Sequence, residues 1–283
     1  MSEKAVAIRE VESRGEARVR TVHAPSRPST SKAFEHALSL LSPLLLLVIW
    51  EILVRVGLLD SRFFPAPSGI AGTFWRLVSN GVLLTNVGIS LQRTLIGFLI
   101  GGVPGVIVGL SIGLFTPVRA ALWPSMGALY PIPKIAILPL VMLIFGLGEQ
   151  SKWAIIAIGV FFPLVFNTVA GVLSIDKIYH DVGKNFGASR LNRYLTIALP
   201  GALPLILAGV RLGWGTALLL MVTAEFVGAK SGVGYMIFQA WQSFSVEQMY
   251  VGIVVISLLG YLSFLGLDWL SRLIVPWRTG PFA

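Results

Sequence analysis

Four ionisable side chains lie inside long apolar segments of this sequence: Arg93, Lys134, Arg211 and Glu225. On insertion scales a charge at the centre of a bilayer costs about 2.5–3.5 kcal/mol, so such residues pair, bond to the backbone or line a water-filled path. Glu225 is the only acid that the pattern sets deep in these segments, against three cations. The sequence therefore predicts an excess of positive charge that something must stabilise.

Two interpretations of this excess stay open. In the first, these four residues belong to an aqueous pathway that favours an anion, with Lys134 the best candidate and Arg211 the next. In the second, Arg93 extends outward and Arg211 inward to the polar edges of the layer, and Lys134 bonds to carbonyls that neighbouring prolines leave free.

Motifs for bond-breaking chemistry are missing from the sequence. Gly228-Ala-Lys-Ser231 is the nearest approach to a nucleotide-binding loop, but Ala229 stands where the glycine before the lysine belongs. The sequence contains no HExxH, no GxSxG and no cysteine, and its three histidines lie far apart. We expect a chain that is not an enzyme and that binds no metal or cofactor of its own.

Residues 175–200 form a polar, basic stretch between two apolar segments. We expect Asp181 near the start of a short helix, where its charge favours the helix dipole, and Gly187 at the end of that helix in a left-handed conformation. Pro200 suits the first turn of the next span. The alternative is an ordinary basic loop retained on the inner side of a membrane. The candidate contact residues of this stretch are Asp181, Gly183, Gly187, Ala188, Ser189, Arg190, Ile197, Leu199 and Pro200.

The composition indicates which elements position these residues. Hydrophobic residues make up 55% of the chain and charged residues 12%, against about 25% charged in a soluble domain. Six apolar stretches are close to or above the roughly 20 residues that cross a bilayer as a helix. We therefore predict an all-α polytopic membrane protein with spans near residues 38–57, 86–115, 120–147, 153–174, 201–227 and 248–270.

Two of these spans have informative internal patterns. The second has a glycine at every fourth position, which predicts a face for close helix packing: Gly97, Gly101, Gly105, Gly109 and Gly113. The third contains Pro131, Pro133 and Pro139, which predict a bent or locally open helix. Such a helix either lines a pathway or is a packing kink.

The flanking segments predict the orientation of the chain. Residues 1–36 form a basic tail that we expect to be mobile, 37–277 a membrane domain and 278–283 a short second tail. Because basic residues concentrate in the first tail and in 175–200, both termini are expected in the cytoplasm, and this bias accounts for the net charge of +9 without nucleic acid. The first span is too long for a signal peptide and is expected to be retained. Helical spacing over 70–78 indicates a short interfacial helix or a packed loop.

The polar stretch resembles the EAA loop of binding-protein-dependent ABC importers, in which an acidic-Ala-Ala triplet, a Gly and a terminal Ile-x-Leu-Pro recur at this spacing. Here the triplet reads Asp181-Val182-Gly183, which keeps the acidic charge, while Gly187, Ile197, Leu199 and Pro200 are in register. Further segments resemble the nitrate/sulfonate/taurine/bicarbonate branch of type I ABC importer permeases: 64–68, 145–152, 161–168, 224–235 and 275–277.

This resemblance implies a permease subunit with six helices, paired with a second copy about a two-fold axis. It also implies two cytoplasmic ATPase subunits, which bind ATP and Mg²⁺, and an extracytoplasmic substrate-binding protein. ATP closes the ATPase pair, and the coupling helices convert that closure into an outward-facing pore. The expected substrate is a small anion of the nitrate, sulfonate/taurine or bicarbonate type, although the branch also includes permeases for vitamin precursors and other small molecules.

Two other classes remain as alternatives. An ion-driven secondary transporter commonly has duplicated halves and ionisable residues paired at mid-membrane, whereas this sequence has no convincing repeat. A structural membrane scaffold is disfavoured by the proline-broken third span and by the coupling loop.

Overall fold

The computed structural model describes residues 7–8, 20–21 and 32–277, and it divides into two units, Met1–Leu58 and Leu59–Ala283. The first unit contains two short antiparallel strands, β1 (Ala7–Ile8) and β2 (Arg20–Thr21), and helix α1 (Lys32–Arg55). α1 coincides with the first predicted span, and its 24 residues reach about 36 Å. The predicted mobility of the tails 1–36 and 278–283 concerns residues that lie mostly outside the described part.

All the regular secondary structure that is described in the second unit is helical. Four of its helical stretches are long and apolar enough to cross a membrane: Val82–Leu114, Glu149–Leu173, Tyr194–Phe226 and Val246–Ile274. Its elements in chain order are α2 (Pro67–Ser79), α3 (Val82–Leu114), α4 (Thr116–Leu129), a 3₁₀ turn (Lys134–Ile137), α5 (Leu138–Phe145), α6 (Glu149–Leu173), α7 (Lys177–Asn185), α8 (Arg190–Arg193), a π turn (Tyr194–Ala198), α9 (Leu199–Phe226), α10 (Val233–Gln242) and α11 (Val246–Ile274).

Helices α3 and α6 run parallel. Gly97 of α3 lies against Ile156 of α6, and Gly113, further along α3, lies against Val172. The chain must therefore return from the end of α3 to the start of α6, and the pair α4 and α5 makes that return. The two helices meet at an angle of 88°. Because together they make the return between two parallel helices, they form one broken crossing, which is a fifth span. The total of six, which would include α1, stays a prediction.

Helix α9 runs antiparallel to α6, since Gly159 of α6 lies against Leu220 and Gly171 against Ala202. α11 in turn runs antiparallel to α9, because Gly260 lies against Leu218 and Asp268, further along α11, contacts Arg211. α3, α6 and α11 therefore end on one side of this unit, where α9 begins. We call that side, which includes residues 175–200, the loop face, and the opposite side the far face.

The bend between α4 and α5 agrees with the expectation from the prolines. Pro131 and Pro133 offer no N–H group, and the freed carbonyls bond to a side chain instead. The ammonium of Lys134 donates to the carbonyls of Leu129 at 3.2 Å, Tyr130 at 2.8 Å and Ile132 at 2.8 Å. It also lies 4.4 Å from the centre of the Phe162 ring, a distance at which a cation is attracted to an aromatic face. Lys134 therefore stabilises the broken backbone.

The core of this unit lies between α3, α6 and α9, where buried aliphatic residues such as Ile156, Val160 and Met221 meet. Large apolar side chains also cover the outside of the helices, with Leu143 82% and Leu219 72% exposed. Such extensive apolar exposure is unusual for a soluble monomer and suits a surface that faces lipid or a partner.

Candidate functional site

Residues 175–200 form an ordered element on the loop face. Helix α7 begins with Asp176, whose carboxylate accepts a hydrogen bond from the Ile178 N–H at 3.0 Å. Asp181, which the sequence analysis set near the start of this helix, lies instead in its middle and is exposed. The helix starts earlier than expected because Asp176 supplies a favourable N-cap. The carboxylate of Asp181 is therefore free to face a partner.

Gly187 ends α7 in the left-handed conformation that the sequence indicated, with φ of 69°. Its N–H bonds to the Lys184 carbonyl at 2.9 Å, and the Ala188 N–H bonds to the Gly183 carbonyl at 2.9 Å. These two bonds form a Schellman motif, which satisfies the last carbonyls of a helix. The hydroxyl of Ser189 then accepts from the Asn192 N–H at 3.2 Å and caps the next turn, which begins at Arg190.

Gly183, the third residue of the degenerate triplet, joins α7 to the returning chain. It is buried, and a Cβ at this position would lie 3.0 Å from Ile197 and 3.2 Å from Arg193. An alanine, as in the usual triplet, would need these flexible side chains to shift by only a few tenths of an ångström. Gly183 and Ile197 therefore fix α7 against the start of the next span.

Helix α7 also presents an exposed apolar stripe that was missed from the sequence. It consists of Ile178, Tyr179, Val182 and Phe186, all exposed, with Phe186 the most exposed at 86%. Their spacing places them along one side of the helix. The available signal was this helical spacing of apolar residues within a polar loop. A stripe of this kind can dock into an apolar groove of another protein.

Pro200 lies in the first turn of α9, as expected. The apolar helical stretch that contains α9 starts earlier, at Tyr194. Leu199 and Pro200 follow directly on the π turn Tyr194–Ala198, so the helical path continues from α8 into α9. Proline removes a backbone donor, and a wider turn before it accommodates the carbonyls left without partners. Leu199 packs against a cluster formed by Val172 and Ala202, which ties the end of the loop to α6.

All five ridge glycines of α3 face α6 of the same chain. A Cβ on Gly101 would overlap the Ala157 backbone, and one on Gly105 would lie 2.9 Å from the Phe161 carbonyl oxygen. The contacts of Gly97, Gly109 and Gly113 are similarly close. The backbones of α3 and α6 therefore approach as only glycine permits.

Arg93 is the centre of a buried ion cluster near the far face. Its guanidinium binds both carboxylate oxygens of Glu149 at 2.6 Å, one oxygen of Glu225 at 2.8 Å, and the Ser231 carbonyl at 2.6 Å. The side chain of Arg93 is 4% exposed and that of Glu225 0%. Because the planar guanidinium matches two carboxylates at once, the cluster is geometrically specific. We use the name Arg93 cluster for the following residues: Arg93, Glu149, Glu225, Ser231, Ser90 and Lys152.

Glu225 links this cluster to the N-terminus of α10. Its carboxylate accepts from the Gly234 N–H at 2.8 Å and from the Ser90 hydroxyl at 2.8 Å. Ser90 in turn accepts from the Val233 N–H at 2.8 Å. A Cβ on Gly232 would overlap the Glu225 carboxylate, so that position requires glycine. The backbone that directly follows the segment resembling a nucleotide-binding loop thus encloses a carboxylate of its own chain, where the helix dipole favours negative charge.

Lys152 belongs to the same cluster. Its ammonium bonds to the Leu147 carbonyl at 3.2 Å and the Gly148 carbonyl at 2.9 Å, and it lies 3.7 Å from Glu149. The two resembling segments 145–152 and 224–235 therefore meet at Arg93. Sequence reasoning missed Glu149 as a partner, since it assigned this acid to the loop before the span, whereas α6 begins there.

The three cations that the sequence left without partners have them among the described residues. Besides the pairs around Arg93, Arg211 binds Asp268 at 2.8 Å, and Asp268 also binds Arg272 at 3.0 Å. Lys134 is satisfied by carbonyls. Arg93 and Arg211 are each paired with an acid of another helix, and the carbonyl bonds of Lys134 match the second interpretation given for that residue.

A groove of about 890 Å³ lies on the far face between α2 and the turn before α11. Phe244 projects beside it, 87% exposed and with a positive φ of 55°, which is uncommon for a bulky residue. Thr73 of α2 donates to Glu247 at 2.6 Å and ties the two elements together. At the rim, hydrogen bonds from Arg62 hold the pKa of Asp60 below its ordinary value.

Parallel and antiparallel apolar helices, a structured polar loop on one face and an ion cluster towards the other define a multi-pass membrane protein. The match to known families agrees. The chain belongs to the family of binding-protein-dependent transport system inner membrane components, whose model matches residues 101–279.

Relatives and solved structures point the same way. The chain is 35% identical over 240 residues to an aliphatic sulfonates transport permease protein of Bacillus subtilis, with 85% of this chain and 87% of that protein covered. It is 32% identical to a taurine transport system permease protein of Escherichia coli, with 82% and 86% covered. An inward-facing methionine ABC transporter has the same fold, with a TM-score of 0.62 at 20% identity over 68% of this chain and 96% of that one.

Proposed function

We propose that this chain is the permease subunit of an ATP-driven importer for small anionic sulfonates. The observation that carries this proposal is the similarity, over more than four fifths of the chain, to permeases named for aliphatic sulfonates and taurine. The subunit is a membrane component of transport, without an ATPase site of its own.

The exposed apolar residues of α7, which we call the α7 stripe, are the proposed docking site for the ATPase subunits. They are Ile178, Tyr179, Val182 and Phe186. The stripe is apolar and exposed, it lies on the loop face, and the exposed Lys177 and Lys184 lie on the other side of the same helix. Asp181, exposed in the same helix, would accept hydrogen bonds from the partner. Two such subunits would bind ATP and Mg²⁺ beneath a pair of permease copies, and the loop face would then be cytoplasmic, together with both termini.

The second copy and the binding protein would occupy other surfaces. Exposed apolar residues along the spans, such as Leu143 and Leu219, suit a second copy or lipid. The substrate-binding protein would approach the far face. The four ionisable residues named from the sequence are not proposed to bind substrate, because each one has an internal partner.

The test is uptake by the reconstituted complex in proteoliposomes with its ATPase and binding protein, with ethanesulfonate and taurine as probes. Nitrate, bicarbonate and an uncharged vitamin precursor serve as comparison substrates. We expect sulfonate uptake that requires ATP and survives collapse of ion gradients. Uptake that follows an ion gradient without ATP would instead establish a secondary transporter. Faster uptake of the uncharged precursor than of either sulfonate would show that the proposed substrate class is wrong.

A further inference from the structure

Close glycine contacts join α6 to α9 at both ends of this pair, at Gly171 near the loop face and at Gly159, against Leu220, nearer the far face. At the loop face, Gly183 of α7 packs against Ile197. Next, α6 and α9 touch at Gly171 and Ala202, where a Cβ on the glycine would lie 2.9 Å from the Ala202 carbonyl oxygen. Such glycine contacts leave little room for one helix to slide against another. α6 and α9 are therefore held closely together, and α7 is joined to the start of the α9 path through Gly183 and Ile197.

Towards the far face, α6 and α9 both contribute to the Arg93 cluster. This cluster takes Arg93 from α3, Glu149 from the start of α6 and Glu225 from the end of α9. Glu225 accepts from the Gly234 N–H of α10, and Ser90 accepts from the Val233 N–H. A third N–H group, that of Gly232, bonds to the Asn86 side chain of α3 at 2.7 Å. α10 is thus held by polar contacts to the ends of three spans.

We propose that Arg93 is a positioning residue that fixes α10 to α3 and α6, so that a displacement of α7 reaches the far face without loss. This inference rests on the proposed function, since it assumes that α7 receives the movement of an ATPase. Among the residues that the structure describes, the guanidinium of Arg93 is the group that contacts both Glu149 and Glu225. Without it, the fully buried Glu225 would keep a charge without its cation, and the turn before α10 would separate from α6.

The experiment uses the reconstituted complex and two measurements. The first is hydrogen exchange of the amides of Gly232, Val233 and Gly234, with and without ATP. The second is sulfonate uptake per ATP hydrolysed. The variants are Arg93→Lys, which keeps the charge but loses the two-pronged bond, and the double change Arg93→Gln with Glu225→Gln, which leaves no unpaired buried charge. Arg76→Gln, an exposed arginine of α2 outside the cluster, is the matched control.

In the wild-type complex and in the control we expect slow exchange in both nucleotide states. In the double variant we expect exchange to rise about tenfold or more as the turn opens locally, and uptake per ATP to fall about threefold or more at equal assembly. Arg93→Lys should lie between the two. If the double variant does not assemble, both measurements are made on Glu149→Gln instead. The side chain of Glu149 is 47% exposed.

Unchanged exchange in the variants would overturn the positioning role, and raised exchange with unchanged uptake per ATP would show that the position of α10 does not matter for transport. If the wild-type complex imports no sulfonate, the proposed substrate is wrong, while the exchange measurement still decides whether Arg93 holds α10.

Discussion

At the scale of single residues, Gly187 is the position where backbone conformation and proposed coupling coincide. Its φ of 69° costs an L-residue roughly 1–2 kcal/mol, and no neighbour lies within 4 Å of a Cβ built there. We expect Gly187→Val to loosen the end of α7 and to lower the stimulation of ATPase activity by loaded binding protein, whereas Gly187→Asn, which tolerates this conformation, should restore most of it. Full stimulation with valine would remove the loop geometry from the mechanism.

Phe186 provides a second test at this scale. Because its ring is exposed, replacement should not affect folding, and its loss should weaken only what docks on the α7 stripe. We expect Phe186→Asp to reduce co-purification of the ATPase subunit about tenfold, in the range of an interface hot spot. Phe244→Asp, equally exposed but on the far face, is the control and should co-purify normally. Equal retention of the ATPase by both variants would place the docking site elsewhere.

The residues that the sequence predicted correctly are those whose conformation depends on their near neighbours in the chain. Gly187 and the proline-broken helix around Lys134 are of this kind. Asp181 was misplaced because a competing cap, Asp176, lies five residues earlier. The partners of Arg93 and Arg211 were missed because they come from other helices, and only the packing of α3, α6, α9 and α11 brings Glu149 and Asp268 to them.

At the scale of elements, the glycine ridge of α3 fixes its distance from α6. We expect Gly105→Leu to force the helices apart at a cost of about 1–3 kcal/mol, typical of overpacking, and so to lower the melting temperature in detergent and the yield of complex. Gly88→Leu, on the same helix but with no atom within 4 Å of a built Cβ, is the matched control. If both variants melt alike, the close approach of α3 and α6 contributes nothing measurable.

The order of the helices, by contrast, could not be read from hydropathy. Spacing gave the ridge and its packing face, but only the contacts between Gly97 and Ile156 and between Gly113 and Val172 show that α3 and α6 are parallel. That relation in turn identifies the bent pair α4 and α5 as a single crossing. α10 escaped sequence reasoning altogether, since its ten residues are too few for a span and its start is defined by Glu225 and Ser90 in distant helices.

At the scale of the whole molecule, the loop face and the far face must lie on opposite sides of the membrane if the proposed function holds. Lys184 of α7 and Lys230 of the turn before α10 are both exposed, and they lie on these two faces. The sequence contains no cysteine, so the natural chain is already a background for single-cysteine labelling. The contrast between the two positions depends on topology alone and not on substrate, ATPase or binding protein.

We expect a membrane-impermeant maleimide to label Lys230→Cys in intact cells and to label Lys184→Cys only after permeabilisation. The physical reason is that a charged reagent cannot cross the hydrocarbon layer, so access reports the side of the membrane. Labelling after denaturation gives the total of reactive cysteine in each variant and controls for expression. Labelling of both positions from outside would contradict an odd number of crossings between them, and with it the span assigned to α9. The reverse pattern would keep the fold but place the α7 stripe outside the cell, where no ATP-hydrolysing partner could use it.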